Sequence, residues 1–413
     1  MPDQPQFLFM TCQVGAEPTL KSEMARYRPN FRFAYSRPGF ITFKLPEKHH
    51  LADDFELHSV FARAYGFSLG KVAVDDDPAS AVAEVWQLAG DRPFKTLHVW
   101  PRDRLAPGER GFEVGQTDES RAVEIMLRAA APAKFESLRT KRLTQPGELV
   151  LDVVVIDPKL WWVGYHRAGS VASRRAGGLY DDIELPYEAV SRAYLKMEES
   201  LRWSKLPVRP GDEAAEIGCA PGGSCQALLK RGLLVTGIDP AEMHPAVLDH
   251  PNFRHLQMRG GDVKRREFRD VRWLITDMNV TPTYTLDTVE GIVTHRDVNI
   301  EGLLLTLKLL SWEYAEHIPE FIARVQSWGY GHVQCTQLQH NRREFCLAAL
   351  RESGAPKAAP LQERAEEKLK RLVKRNTSPK PSKAEKRTVG ERREARVKPA
   401  ARPKRKVRKS GGE

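Results

Sequence analysis

The sequence predicts an α/β protein: a doubly wound, Rossmann-like domain in the second half, two small α+β units before it and a basic tail after it. Three observations carry this. Between about residues 171 and 356, short apolar runs alternate with helical stretches, the pattern of a parallel sheet with helices on both faces. The first 170 residues instead read β-α-β-β and then strand, helix, strand, strand. From Lys357 to Glu413 the chain holds 21 Lys and Arg against 7 Asp and Glu, with almost no aromatics, and from Pro379 onward it cannot bury enough apolar surface to fold alone.

The first unit, residues 1–65, opens on Phe7-Leu-Phe-Met-Thr-Cys12, a strand, followed by a helical Leu20-Lys-Ser-Glu-Met-Ala-Arg26. Phe31-Arg-Phe-Ala-Tyr35 and Gly39-Phe-Ile-Thr-Phe-Lys44 read as two more strands. In the second unit, residues 66–170, Thr96-Leu-His-Val-Trp100 is a strand and Arg121-Ala-Val-Glu-Ile-Met-Leu-Arg128 has helical spacing. Leu149 to Ile156 is a buried-strand run, and Trp161-Trp-Val-Gly-Tyr-His-Arg167 follows a Pro-Lys turn. Its aromatic and basic side chains suit either stacking on RNA or the core of a sheet, and the sequence leaves both open. The third unit spans 171–356 and the tail 357–413, in which Leu361 to Arg375 could form a charged helix.

Charge and composition bound the function. The net charge is +11, yet the tail alone carries +14 and the other 356 residues −3. Basicity so concentrated favours contact with an anionic polymer over simple solvation. No run of eighteen apolar residues exists and Met1-Pro-Asp-Gln-Pro5 lacks a secretory signal, so a cytoplasmic protein with no membrane partner is expected. Five scattered cysteines without a Cys-x-x-Cys pair argue against disulfides and a metal.

The chemistry-bearing residues lie in the third unit. Ala214 to Gly218 ends a strand, Ser224 to Arg231 is a helix, and Glu216-Ile-Gly-Cys-Ala-Pro-Gly-Gly-Ser224 joins them as a nucleotide-type loop. Its spacing, Gly218-x-x-x-Gly222-Gly223, differs from the usual dinucleotide loop, and no Gly-Lys-Ser/Thr makes it a P-loop. Gly222 and Gly223 let backbone pass close to a ligand. Asp239, 21 residues beyond Gly218, ends the next strand and can take both ribose hydroxyls of an adenosine-type cofactor. Asp262, in Gly260-Gly-Asp-Val263, is placed for the adenine edge or is a plain loop carboxylate. Asp277 ends the strand Trp273-Leu-Ile-Thr-Asp277, where an acid faces the ligand crevice. Lys308 sits inside Gly302-Leu-Leu-Leu-Thr-Leu-Lys-Leu-Leu310; so apolar a run demands a partner or a task, unless the side chain snorkels at an edge. Glu344, entering a late strand, would by itself be an ordinary acid.

Taken together, Ser191-Arg-Ala-Tyr-Leu-Lys196-Met-Glu-Glu199, the Ala220-Pro221-Gly222-Gly223 loop, Thr276-Asp-Met278, Leu307-Lys-Leu309 and His340-Asn-Arg-Arg-Glu344 resemble the FtsJ/RrmJ-type superfamily. Within it the chain most resembles the RlmM family over roughly residues 5 to 352, although Ser224 stands where that family usually has an aromatic. The resemblance implies an S-adenosylmethionine-dependent 2′-O-methyltransferase acting on a cytidine of 23S ribosomal RNA, with ferredoxin-like and THUMP-like domains at 1–65 and 66–170. It implies a catalytic tetrad of Lys196, Asp277, Lys308 and Glu344. Cofactor contacts are implied from Glu216, Gly218, Ala220, Pro221, Gly222, Gly223, Ser224, Asp239, Asp262 and Asp277. The residues leave two roles open for Lys308, a neutral base or a cation beside the forming alkoxide. Two other readings stand beside this one. A THUMP-bearing base methyltransferase acting on transfer RNA is opposed by Asp277-Met-Asn-Val280, where such enzymes carry an Asn/Asp-Pro-Pro motif. A non-catalytic RNA-binding protein would have lost a tetrad member.

Overall fold

The computed structural model of the protein describes residues 5–140 and 143–351. The basic tail and the helix expected at 361–375 lie outside the described residues.

The first half forms a single sheet. Strands β1 (Phe7–Thr11), β2 (Arg32–Arg37), β3 (Phe40–Lys44), β4 (Ala64–Ala73), β5 (Thr96–Pro101), β6 (Leu149–Asp157) and β7 (Leu160–Arg167) are ordered β2-β3-β1-β4-β7-β6-β5. The units expected on either side of residue 65 share it, because β4 pairs antiparallel with β1 on one side (Leu8 opposite Phe67) and with β7 on the other (Phe67 opposite Tyr165). Helix α1 (Glu17–Tyr27) connects β1 to β2, α2 (Ala79–Ala89) connects β4 to β5, and α3 (Asp118–Ala129) follows β5. The α3 start is specified locally: the Thr117 hydroxyl accepts the Ser120 amide at 3.2 Å, and Asp118 and Glu119 meet the positive end of the helix.

The aromatic run 161–167 belongs to this sheet's core. Trp161 is buried, Trp162 donates its indole N–H to Ser68 Oγ at 2.8 Å and stacks on Tyr35, and Tyr165 packs on Phe67. With these faces covered, the RNA-stacking alternative falls.

The second half is the doubly wound domain. It contains β8 (Glu213–Ile217), β9 (Leu234–Ile238), β10 (Phe253–Leu256), β11 (Trp273–Thr276), β12 (Gly302–Lys308), β13 (His332–Thr336) and β14 (Glu344–Leu350), in the order β10-β9-β8-β11-β12-β14-β13. Helix α4 (Ala193–Ser204) precedes β8, α5 (Gly223–Lys230) follows it, α6 (Pro245–Leu248) leads to β10, and α7 (Pro282–Val293) and α8 (Ile318–Ser327) follow β11 and β12. Strands β10, β9, β8, β11 and β12 are mutually parallel, while β14 runs antiparallel to β12 and β13. The chain moves outward from β8 to β10 and returns on the other side of β8 at β11. That reversal is the topological switch point, outside whose carboxyl ends a ligand crevice opens.

The two halves pack directly. Gln337 N donates to the Val60 carbonyl at 2.8 Å, the Phe61 and Trp312 rings meet edge to face at 6.2 Å, and one apolar cluster includes Leu8, Phe61, Leu303 and Phe345.

Candidate active site

Strand direction explains why four residues so far apart in sequence meet. Asp277 follows the last residue of β11, and Lys308 is the last residue of the neighbouring parallel β12, so both stand at the carboxyl edge. Because β14 runs the other way, its first residue, Glu344, arrives at that same edge, directly opposite Lys308. Lys196 reaches in from the first turn of α4.

Their side chains form a continuous charged chain. Lys196 donates Nζ to Glu344 Oε1, and Lys308 donates Nζ to Glu344 Oε2 and to Asp277 Oδ1, the last at 2.7 Å. Two ammoniums and two carboxylates thus neutralise one another. Burial alone would lower the Lys308 pKa, but Asp277 and then Glu344 outweigh it and hold the ammonium above its ordinary value. Burial likewise pushes Glu344 up, yet Lys196 and Lys308 bring its carboxyl down to about 2.

Sequence reasoning passed over Asn341. Fully buried, it donates Nδ2 to Glu344 Oε1 at 3.0 Å while its Oδ1 accepts the Leu338 amide at 2.8 Å, so it anchors the carboxylate that joins both lysines. The available signal was an Asn three residues before an acid at a strand entrance. Glu199, one turn beyond Lys196, was also passed over; it accepts the Gln339 amide at 2.9 Å, and burial raises its carboxyl to about 8.

The cofactor candidates gather at the switch point. Gly218 follows β8 at φ +83°, and a Cβ there would lie 2.8 Å from the Asp277 carbonyl oxygen. Asp277 N in turn donates to the Ile217 carbonyl at 3.0 Å, which ties the loop to the tetrad. Gly222 has φ +118°, and its missing side chain makes room for Met243 and Val247; a Cβ on Gly223 would strike Ser191 Oγ. The protein's own packing therefore requires this double glycine. Glu216 and Ser224 are buried beneath the loop; Glu216 Oε2 accepts from the Cys225 thiol at 2.9 Å, and burial raises Glu216 to about 7.

Asp239 faces the loop from the end of β9. Its Oδ2 accepts the Ala220 amide at 3.1 Å and its Oδ1 the Ala241 amide at 2.8 Å, and each oxygen retains capacity to accept a further hydrogen bond. Asp262 is exposed on a short turn whose Gly260 packs on Ile217, at the same carboxyl edge. Two carboxylates at the carboxyl edge of the sheet suit a nucleoside with ribose hydroxyls and amino groups to bind. We expect Asp239→Ala to weaken S-adenosylmethionine binding about ten- to a hundred-fold, from the loss of a charged acceptor worth roughly 1.5–3 kcal/mol. Asp239→Asn, which retains one acceptor oxygen, loses less. Calorimetry giving equal affinities for all three proteins would remove Asp239 from the cofactor site.

Residues 189–375 match the family described as FtsJ-like methyltransferase. This part of the chain is similar to that family. The FtsJ-like segment begins just before α4 and contains all four members of the charged chain. Curated relatives named ribosomal RNA large subunit methyltransferase M extend the similarity into the first half. The Tolumonas auensis protein is 24% identical over 366 residues, covering 77% of this chain and 95% of that one. The Idiomarina loihiensis protein is 25% identical over 369 residues, covering 82% and 95%. The Pseudomonas putida KT2440 protein is 27% identical over 372 residues, covering 76% and 96%. Among solved structures, TrmN from Thermus thermophilus aligns at TM-score 0.33 and 15% identity, covering 84% of this chain and 99% of that chain.

Outside the FtsJ-like segment, the first sheet holds a grouping that sequence spacing hid. His98, Asp152 and His166 come from β5, β6 and β7, and their ligand-type atoms lie within 4.8 Å of one another. No such cluster is visible along the sequence, because three separate strands supply it. Its contacts are those of a buried polar network: His166 Nδ1 meets Asp152 Oδ2 at 2.5 Å, His166 Nε2 meets the Ser173 carbonyl at 2.6 Å, and His98 Nε2 meets Thr144 Oγ1 at 2.9 Å. Burial would discharge His166, but the facing Asp152 raises its pKa. Among the described residues no helix is long and apolar enough to cross a membrane.

Proposed function

We propose that this protein transfers a methyl group from S-adenosylmethionine to a ribose 2′-hydroxyl of ribosomal RNA, with a cytidine of the 23S RNA as the target nucleotide. The observation that carries the reading is the Lys196–Glu344–Lys308–Asp277 chain at the carboxyl edge of a doubly wound sheet, beside a cavity that Lys196, Lys308 and Glu344 line. Support for the RNA class comes from the FtsJ-like segment and from relatives named for the large ribosomal subunit. When bound, S-adenosylmethionine supplies a methyl group already activated by its sulfonium.

The protein's own task is to orient the hydroxyl and manage one proton. Lys308 does this as a cation. Two carboxylates hold its ammonium protonated, so near neutral pH it cannot serve as a neutral base. It stabilises negative charge on the attacking oxygen instead. The hydroxyl proton passes to a solvent water as the C–O bond forms, while the ammonium beside it offsets the negative charge developing on the oxygen. Lys196 and Asn341 fix Glu344, and Glu344 together with Asp277 fixes the direction in which Lys308 points. In this account 1–65 and 66–170 are RNA-recognition domains, ferredoxin-like and THUMP-like.

The cationic role has a pH signature. In single turnovers the methyl-transfer rate should stay flat between pH 7 and 9 and fall only as pH rises through the elevated Lys308 pKa. A rate climbing tenfold per pH unit across that range would restore Lys308 as a neutral base. A base methyltransferase remains disfavoured, because the position after β11 carries an aspartate bound to Lys308 in place of an Asn/Asp-Pro-Pro motif.

A further inference from the structure

Beside the charged chain opens a cavity of about 600 Å³, lined by Lys196, Lys308 and Glu344 and also by Pro107 and Gly108 from the first sheet. Those two residues sit in a tight turn on the loop leaving β5. Glu109 N donates to the Ala106 carbonyl at 3.0 Å, and the Glu109 carboxylate accepts the Ala106 amide at 2.8 Å. Arg342, two residues before Glu344, donates Nε to the Pro107 carbonyl at 3.0 Å. Its guanidinium lies so close over Gly108 that a Cβ there would stand 1.9 Å from Nη2, and the glycine's φ of +88° also disfavours any side chain. Glycine at 108 is thus the seat of this guanidinium. The two terminal nitrogens of Arg342 have no hydrogen bond or ion pair among the described residues.

The charge balance around the cavity points to an anion. The four-residue chain is internally neutral, and Glu344, already paired, is the acid lining the cavity. Arg192, Arg342 and Arg343 are therefore surplus positive charge beside the reaction centre. His340 on the cavity wall senses this field: burial, then Arg192 and Lys196, lower it to about 4. Arginine with its Nε anchored and both terminal N–H groups free is pre-set for a phosphate.

We propose that Arg342, seated on Gly108 and assisted by Arg192, binds a backbone phosphate flanking the target nucleotide. The turn at 106–109 then makes the first sheet a positioning element for the reacting ribose. This inference rests on the RNA reading above and adds the phosphate subsite that it lacks.

The test uses full-length protein and a ribosomal RNA fragment containing the mapped target, made with either flanking phosphate replaced by a neutral methylphosphonate. Wild type should lose at least tenfold in kcat/KM at one of the two positions. Arg342→Ala should start tenfold or more lower, mostly in KM, and lose no further activity at that position. It should also show a salt slope for RNA binding smaller by roughly 0.7–0.9, with S-adenosylmethionine affinity within about twofold of wild type. Arg342→Lys should recover the salt slope but only part of the activity, and Gly108→Ala should reproduce the Arg342→Ala defect with every charge retained. Losses from methylphosphonate and Arg342→Ala that simply multiply, or a salt slope unchanged by the mutation, would overturn the phosphate assignment while leaving methyl transfer intact. Wild-type protein that methylates no ribosomal RNA would sink the underlying reading together with the subsite.

Discussion

Replacing Lys308 by alanine should reduce methyl transfer on the order of 10³-fold while S-adenosylmethionine affinity stays within a few-fold of wild type. The size follows from position. Lys308 ends β12, contacts both carboxylates of the chain and is the cation they aim at the crevice. The small effect on cofactor affinity follows from the separate cradle, whose walls are the 218–223 loop and Asp239. Single-turnover methylation and calorimetry on the same preparation check the two halves of this expectation. A variant with near wild-type turnover would remove Lys308 from the mechanism; one that fails to bind the cofactor would show that the cradle depends on it.

The second large effect is expected at Glu344, in stability as well as in rate. Its carboxylate is buried and takes both lysines and Asn341. Glu344→Gln keeps the shape and removes the charge, which leaves two ammoniums short of a partner. Breaking a buried ion pair from one side typically costs about 3–5 kcal/mol, and removing an organising charge slows the reaction on the order of 10²–10³-fold. The pH dependence has a defined sign. Folded Glu344 titrates at about 2, below its ordinary 4.5, so its contribution is complete above about pH 4.5 and is lost as pH falls toward 2. A depression of that size corresponds to roughly 3 kcal/mol. Denaturant titrations at pH 7 and pH 3 should therefore show wild type losing more stability on acidification than Glu344→Gln. Parallel losses in the two proteins would mean that Glu344 is not the depressed carboxyl.

Much of this was legible in the sequence, for identifiable reasons. Strand ends followed by Gly218, Asp239 and Asp277 announce a crevice, because a doubly wound sheet places every such position at one edge. Lys308 is conspicuous as a charge in an apolar strand. Glu344 is not; it acquires meaning only from the antiparallel β12–β14 register that sets it opposite Lys308. The Trp161–Arg167 stretch was ambiguous because a stacking surface and a buried strand draw on the same residue types, and only the partners Ser68, Tyr35 and Phe67 decide for the core. The packing of Ser191, Met243 and Val247 around the double glycine was not legible, because those partners lie outside the loop. The Pro107–Gly108 turn was invisible, since its partner Arg342 lies 235 positions away. That contact ties the first sheet to the loop that leads into Glu344.

The most direct test of the central claim is the chemical position of the transferred methyl group. Purified protein is incubated with unmodified large-subunit ribosomal RNA and methyl-labelled S-adenosylmethionine, and the RNA is then hydrolysed in alkali. A 2′-O-methyl blocks cleavage at its own phosphodiester, so the account predicts label in an alkali-resistant dinucleotide whose first residue is a cytidine. Label recovered in single nucleotides bearing a methylated base would contradict it.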